Sequence, residues 1–449
     1  MAIDAAARIN TSPMGGYQYR VVAICALVAL LDGLDIQAMG LIIPALSEEW
    51  GVPPSSFGPV LSASFAGIML GMMGLGALGD RLGRRVVLLV SFALVGMSSM
   101  ATALATSQEA LMALRFLTGI GIGGCMPNAT ALTAEYVPAH RLAFFVTLMY
   151  SAVPLGGVVG GYVAGDLIRL FGWQSVFLVG GAIPLFLCFL ILFALPESVR
   201  FLVGRPGNAA RVGAILGRID RTYVYAPGDS FAVPPGAGKS SVGQLFSEGR
   251  RHSTLLLWAI FFFSLFTMYL LASWLPTIFA QFGWPREQAI RSVSHFWLGG
   301  ILGGLVAGWL IDRFGPYKVL APGFLVAAAL IATMGLVDGT GWVVTFVILA
   351  AGFGVVGAQL AMTALAADLY PTAARSTGVG WGLGIGRVGA VISPIVGGLV
   401  LAAGWTQLEL FAAAATPALI CAAGTALMGL VERRRAVAAP SGEYADGEG

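Results

Sequence analysis

Apolar runs of about 20 residues, the length an α-helix needs to cross ~30 Å of hydrocarbon, recur along the chain between short polar breaks. Twelve can be marked, near 20–44, 57–79, 86–106, 109–134, 142–166 and 174–195, then 254–280, 288–312, 317–338, 341–367, 376–402 and 407–431. Backbone groups inside a bilayer must satisfy one another, so each run is expected to be a helix and the chain an all-α membrane protein of twelve transmembrane helices. One long polar stretch falls between the sixth and seventh runs. It divides the chain into a six-helix half, 1–195, a linker, 196–253, and a second six-helix half with a short tail, 254–449.

Composition sharpens this picture. Hydrophobic residues make up 57% of the chain and charged residues only 10%, against about 25% charged in soluble domains, which excludes a soluble globule. The 62 glycines suit helices that pack closely in lipid, where small residues let backbones approach. Cys25, Cys125, Cys188 and Cys421 all lie in apolar runs, where thiols act as small hydrophobes. No disulfide, metal site or cofactor is expected. A net charge of +3 is too small to imply a nucleic-acid partner. Gly238, Lys239 and Ser240 imitate the end of a phosphate-binding loop, but Val233 stands where that loop needs glycine, so no nucleotide site is expected. Met1 to Arg20 reads as a polar arm without the apolar core of a removable signal.

Cations set the orientation. Arg115 and Arg387 lie inside runs, and Arg169, Arg286 and Arg291 sit in or beside the loops after the fifth and seventh runs. The rest of the 25 Lys and Arg fall on the side shared by both termini. Positive loops stay cytoplasmic, so both termini and the linker are expected in the cytoplasm.

Two motifs repeat at nearly one spacing. Gly76, Asp80, Arg81, Gly83, Arg84 and Arg85 after the second run return as Gly308, Asp312, Arg313, Gly315 and Lys318 after the eighth. Glu135, Pro138 and Arg141 after the fourth return as Asp368, Pro371 and Arg375 after the tenth. Parallel six-span repeats are how many secondary carriers are built, with the solute site near the bilayer midplane between them.

The loop GxxxDRxGRR at Gly76 to Arg85, its weaker copy at Gly308 to Lys318, and RFLTGIGIG at Arg115 to Gly123 resemble recurring elements of the major facilitator superfamily, over nearly the whole chain. LPESVRFL at Leu195 to Leu202 is similar to the end of span 6 in its sugar and organic ion porters. Within the first run, Asp32, Gly33, Leu34 and Asp35 resemble the DGxD signature of the aromatic acid:proton symporters, bacterial importers of benzoate-like and hydroxybenzoate-like acids. AEYVPAHR at Ala134 to Arg141 and Arg387 resemble that family's loop after span 4 and its arginine on span 11. His140 departs from it, standing where another arginine is expected, which touches gating. The resemblance implies a multi-pass carrier of a bacterial inner membrane that imports a small aromatic carboxylate together with protons, and we expect a monomer.

Asp32 and Asp35 are three residues apart, on nearly one face of a helix. A charge at a helix centre costs roughly 2.5 to 3.5 kcal/mol on insertion scales, so such residues line water or find a partner. Two close carboxylates also resist ionising together, which makes this pair the candidate proton carrier, the alternative being a bridge between neighbouring helices. Arg387, halfway along the eleventh run, offers a planar fork suited to a carboxylate. It is the candidate ligand for substrate, with Asp32 or Asp35 as its partner in the empty state, or else a permanent interhelix ion pair. Arg115, on the fourth run, could line the substrate cavity, relay protons, hold a gate or snorkel to the interface. Asp80, Arg81, Arg84, Arg85, Asp312 and Arg313, with Glu135, Arg141, Asp368 and Arg375, read as exchangeable cytoplasmic latches between the halves, or as a solvated rim.

Tyr150, Tyr269, Trp274, His295, Trp297 and Trp381 could stack on a benzene ring or simply pack, and Asn128 and Gln359 could fix helices or solute. A sugar, polyol or drug porter of the same superfamily would not need Asp32, Asp35 and Arg387 together. No HExxH, cysteine cluster or serine–lysine arrangement supports a membrane enzyme. A solute-sensing protein would bind without accumulating. The guanidinium fork gives a direct test. Arg387→Lys keeps the charge and loses the second bond, so the apparent KM for an aromatic acid should rise roughly tenfold, the equivalent of about 1.4 kcal/mol. An unchanged KM would exclude direct carboxylate recognition.

Overall fold

The computed structural model describes residues 3–232, 242–247, 249–337 and 341–438. Gly238, Lys239 and Ser240 lie outside the described residues. Among the described residues, twelve helices are long and apolar enough to cross a membrane. In chain order, spans 1 to 6 are Gly16–Trp50, Pro54–Leu82, Arg84–Thr102, Gln108–Tyr136, Ala139–Phe171 and Gln174–Ala194. Spans 7 to 12 are Arg251–Gln281, Arg286–Phe314, Pro316–Met334, Trp342–Leu369, Thr377–Ala402 and Gln407–Arg435. Each apolar run thus becomes one helix. Span 1 outruns its apolar stretch at both ends because its ends are satisfied locally: Gln18 Oε1 accepts from Gly15 N at 2.9 Å, and Gly51 closes the last turn at φ 65°.

Contacts cluster the chain into two units. The first comprises Met1–Ala237, Leu270–Leu298 and Val391–Trp405; the second comprises Gly238–Tyr269, Gly299–Ala390 and Thr406–Gly449. In the first, helices meet through small residues, as expected where lipid gives no hydrophobic drive for association. A Cβ on Gly33 of span 1 would lie 1.9 Å from the Val153 carbonyl oxygen of span 5. A Cβ on Gly67 of span 2 would lie 2.2 Å from the Phe116 carbonyl oxygen of span 4.

The polar stretch after span 6 is more than a connector. It forms helices Val199–Val203 and Ala209–Ile219 and a strand, Phe231–Ala232, which pairs in parallel with Ile3–Asp4. Val212, Ile215, Leu216 and Ile219 recur at helical spacing and bury in one core with Ile9 and Tyr136. Arg8 clasps Asp220 at 2.7 Å. Thr222, donating through its hydroxyl and backbone N–H, holds the Asp220 carboxyl below its usual range. In the second unit, Ser264 Oγ donates to Gln359 Oε1 at 2.6 Å, tying span 7 to span 10.

The Gly33 contact predicts a stability loss. Gly33→Ala must push span 5 away and should destabilise by about 1–3 kcal/mol, the usual cost of overpacking. Gly380→Ala, with no heavy atom within 4 Å, should melt at or slightly above the wild-type temperature. Equal melting temperatures for both variants would contradict this packing.

Candidate functional site

Span 1 carries both acids of the DGLD sequence, and Gly33 between them admits span 5 to the helix surface at that level. Asp32 and Asp35 are both buried, at 7% and 6% exposure. Asp35 faces Arg115 of span 4, with Oδ2 3.5 Å from Nη1. Arg115 is 1% exposed and enclosed on every side the structure shows. Thr102 of span 3 and Thr118 of span 4 each accept from Nη2 at 2.9 Å, and the Phe177 ring of span 6 lies 4.6 Å from the guanidinium carbon. Arg115 was expected among the residues touching solute. Its guanidinium contacts Asp35 and two hydroxyls.

Arg387 contrasts with this. It is half-buried, and its Nη1 donates to the Tyr269 hydroxyl of span 7 at 3.4 Å. Span 7 reaches this level of span 11 because Gly386 and Gly389 face it; their Cβ atoms would lie 2.5 Å from Leu265 Cδ1 and 2.3 Å from the Phe262 carbonyl oxygen. Trp381 stacks on Trp258, with centroids 5.6 Å apart. Arg387, Tyr269 and Trp381 therefore occupy one span pair. The other aromatic candidates are scattered. Trp274 is fully buried and donates to the Pro394 carbonyl at 3.1 Å, a helix tie with no exposed ring face. His295 is 3.1 Å from the Tyr162 hydroxyl, Trp297 packs where a Cβ on Gly157 would stand, and Tyr150 is exposed beside Thr130 at 3.2 Å.

At the end of the first unit that carries the amino terminus, the repeated loop forms a charge network. Arg84 bridges Glu135 of span 4 and, at 3.3 Å, Asp80 of span 2. Ser198 Oγ donates to Glu135 at 3.0 Å, Arg85 N donates to Glu197 Oε1 at 3.1 Å, and Arg205 donates to the Arg81 carbonyl at 2.6 Å. Gly83, at φ 100°, leaves room for Glu197, which a Cβ would meet at 2.4 Å. Glu197 and Ser198 were overlooked as parts of this network, although LPESVRFL marked the place. Arg141, Asp312, Arg313, Asp368 and Arg375 are exposed. Opposite, Arg286 of span 8 pairs with Glu48 of span 1. Arg291 pairs with Asp166 of span 5 at 3.5 Å and with Glu287 at 2.6 Å. Neither bridge involves a residue of the repeated motif, so that motif does not mark them.

The description "Major Facilitator Superfamily" matches residues 25–381 and 257–445. The chain is 43% identical to the 4-hydroxybenzoate transporter PcaK of Pseudomonas aeruginosa over 96% of each protein. It is 38% identical to the gallate transporter of Pseudomonas putida over 94% of each, and 31% identical to the benzoate transport protein of Acinetobacter baylyi over 95% of this chain and 92% of that one. A bacterial homologue of the human lysosomal transporter Spinster shares the fold with a TM-score of 0.72 and 17% identity, over 94% of this chain and 99% of that one.

The Arg84–Glu135 bridge, with side chains 12% and 15% exposed, yields a stability test. Arg84→Met should strand the Glu135 carboxylate and cost about 3 kcal/mol. Adding Glu135→Leu should recover most of that loss in a thermal melt. A double variant no more stable than the single one would show that the bridge is not what the arginine contributes.

Proposed function

We propose that this chain, which belongs to the Major Facilitator Superfamily, imports a small aromatic carboxylate of the 4-hydroxybenzoate type together with protons, by alternating access. The observation that carries the proton side is the buried Asp35–Arg115 pair at the level of Asp32. The substrate side rests on the half-buried Arg387 beside Tyr269 and on relatives named for 4-hydroxybenzoate, gallate and benzoate, each a carboxylate on an aromatic ring.

In this reading Asp35, with Asp32 beside it, takes up a proton from the outer side, and Arg387 binds the carboxylate through its fork while Tyr269 orients the ring. Charge balance gives the coupling. A carrier holding both proton and anion is compensated, whereas either one alone leaves an unbalanced charge in a low-dielectric interior and disfavours reorientation. Two six-helix halves, 1–195 and 254–449, joined by 196–253, do the moving as a monomer in a bacterial inner membrane, with both termini cytoplasmic. The Arg286–Glu48 and Arg291–Asp166 bridges would then lie on the outer side and part when the site opens outward, while Arg84, Glu135 and Glu197 rearrange on the cytoplasmic side.

Proteoliposomes with an imposed inward proton gradient test this. Wild-type protein should accumulate labelled 4-hydroxybenzoate, and a proton ionophore should collapse the gradient of substrate. Asp32→Asn and Asp35→Asn should lose accumulation while still reaching the membrane. Full accumulation by both variants, with the normal dependence on pH, would sink the proposed proton site; binding without accumulation by the wild type would favour a sensor.

A further inference from the structure

Arg115 is held more closely by hydroxyls than by the carboxylate. Its two contacts to threonine are 2.9 Å long, but its contact to Asp35 is 3.5 Å. Both threonines present oxygen lone pairs to it, because their own hydrogens are committed elsewhere. Thr102 donates to the Ser98 carbonyl and Thr118 to the Leu114 carbonyl, each at 2.8 Å. Ser98 Oγ, 2.8 Å from Thr118 Oγ1, extends the hydroxyl shell. Two buried groups are left over: Arg115 Nε and Asp35 Oδ1 have no hydrogen-bond partner among the described residues. An arginine and a carboxylate at this separation commonly close into a side-by-side pair with two bonds of about 2.7–2.9 Å. Here the fork is turned away from that arrangement, and the Phe177 ring backs it.

We propose that Thr102 and Thr118 are positioning residues that hold the Asp35–Arg115 pair loose, so that a proton can add to Asp35 without stranding a buried cation. This rests on the reading of Asp35 as a proton carrier. When Asp35 is neutralised, Arg115 loses its counter-charge in a place where an uncompensated ion is costly. The two hydroxyl oxygens keep satisfying the Nη2 N–H groups in either state, so the pair can be broken and remade in each cycle. A two-bond pair would instead hold Asp35 ionised and stop the exchange. The proton comes from outer water, forms an O–H bond at Asp35 Oδ1, the oxygen without a partner, and leaves to the cytoplasm; no other covalent bond changes. The ionisable groups near Asp35 are Arg115 of span 4, which acts on it directly, Cys125 of span 4, on which both Asp35 and Asp32 act, and Asp32 one turn before it on span 1. Span 3 adds the Ser99 and Thr102 hydroxyls, span 5 the Val153 backbone and span 6 the Phe177 ring.

The test is the pH profile of 4-hydroxybenzoate uptake in proteoliposomes for Thr102→Val, Thr118→Val and the double variant. Folding is checked by gel filtration and melting temperature. Without the hydroxyls, Arg115 should close on Asp35, the carboxylate should keep its charge to lower pH, and the midpoint of uptake should move to the acid side. We expect about one pH unit for the double variant, roughly a tenfold loss of uptake on the alkaline limb, and a smaller move in the same direction for each single variant. Thr102→Ser, which restores an acceptor, should bring the midpoint back. A midpoint that stays in place, or moves to the alkaline side, in a folded single or double variant overturns the proposal. Asp35→Asn in parallel separates the two levels. If it still accumulates substrate in a pH-dependent way, Asp35 is not the carrier; if it does not, and the threonine variants titrate like wild type, only the role of the threonines fails.

Discussion

A charge inside a bilayer has few ways to be tolerated, and this chain uses two of them. Asp35 and Arg115 are taken wholly out of solvent and given to each other. Arg387 is left half-buried beside a tyrosine hydroxyl. The cost of an unpaired ion in a low-dielectric medium turns these placements into constraints on motion. In the proposed carrier, any step that adds or removes a proton or an anion would change which conformation is tolerable.

Glycine-lined crossings set where those groups sit along their own spans. Glycines at the crossings of spans 1 and 5, and of spans 2 and 4, let backbones come to distances at which a methyl group would collide. Gly33 sits between the two acids of span 1, so the residue that allows span 5 to approach also fixes the height of Asp32 and Asp35. Gly386 and Gly389 bracket Arg387 in the same way against span 7. Away from these crossings, the Arg291–Asp166 bridge is partly exposed, where solvent lowers the cost of making and breaking an ion pair.

Much of this was legible in the chain. Twelve apolar runs gave twelve helices, since length and hydropathy alone decide whether a segment can cross. The DGLD acids and Arg387 declared themselves by being charged in apolar surroundings. What could not be read was pairing. Asp35 and Arg115 lie 80 positions apart, and a single sequence gives the direction of neither side chain. Nor does it show that Asp35, Thr102, Thr118 and the Phe177 ring surround Arg115. The burial of Trp274 against Pro394 was equally illegible, because an aromatic residue that fills a helix crossing and one that lines a cavity look alike in sequence. The helix Ala209–Ile219 is hidden inside a polar stretch: Val212, Ile215, Leu216 and Ile219 show the spacing, but its 11 residues are too few to cross a membrane.

The proposal as a whole turns on whether protons enter with the solute. That is measured most directly with a pH electrode in a weakly buffered suspension of proteoliposomes to which 4-hydroxybenzoate is added. Proton-coupled import predicts that the medium turns alkaline in step with substrate uptake, that an ionophore abolishes the signal, and that Asp35→Asn vesicles give none. Substrate entry at the wild-type rate with no accompanying movement of protons would contradict it.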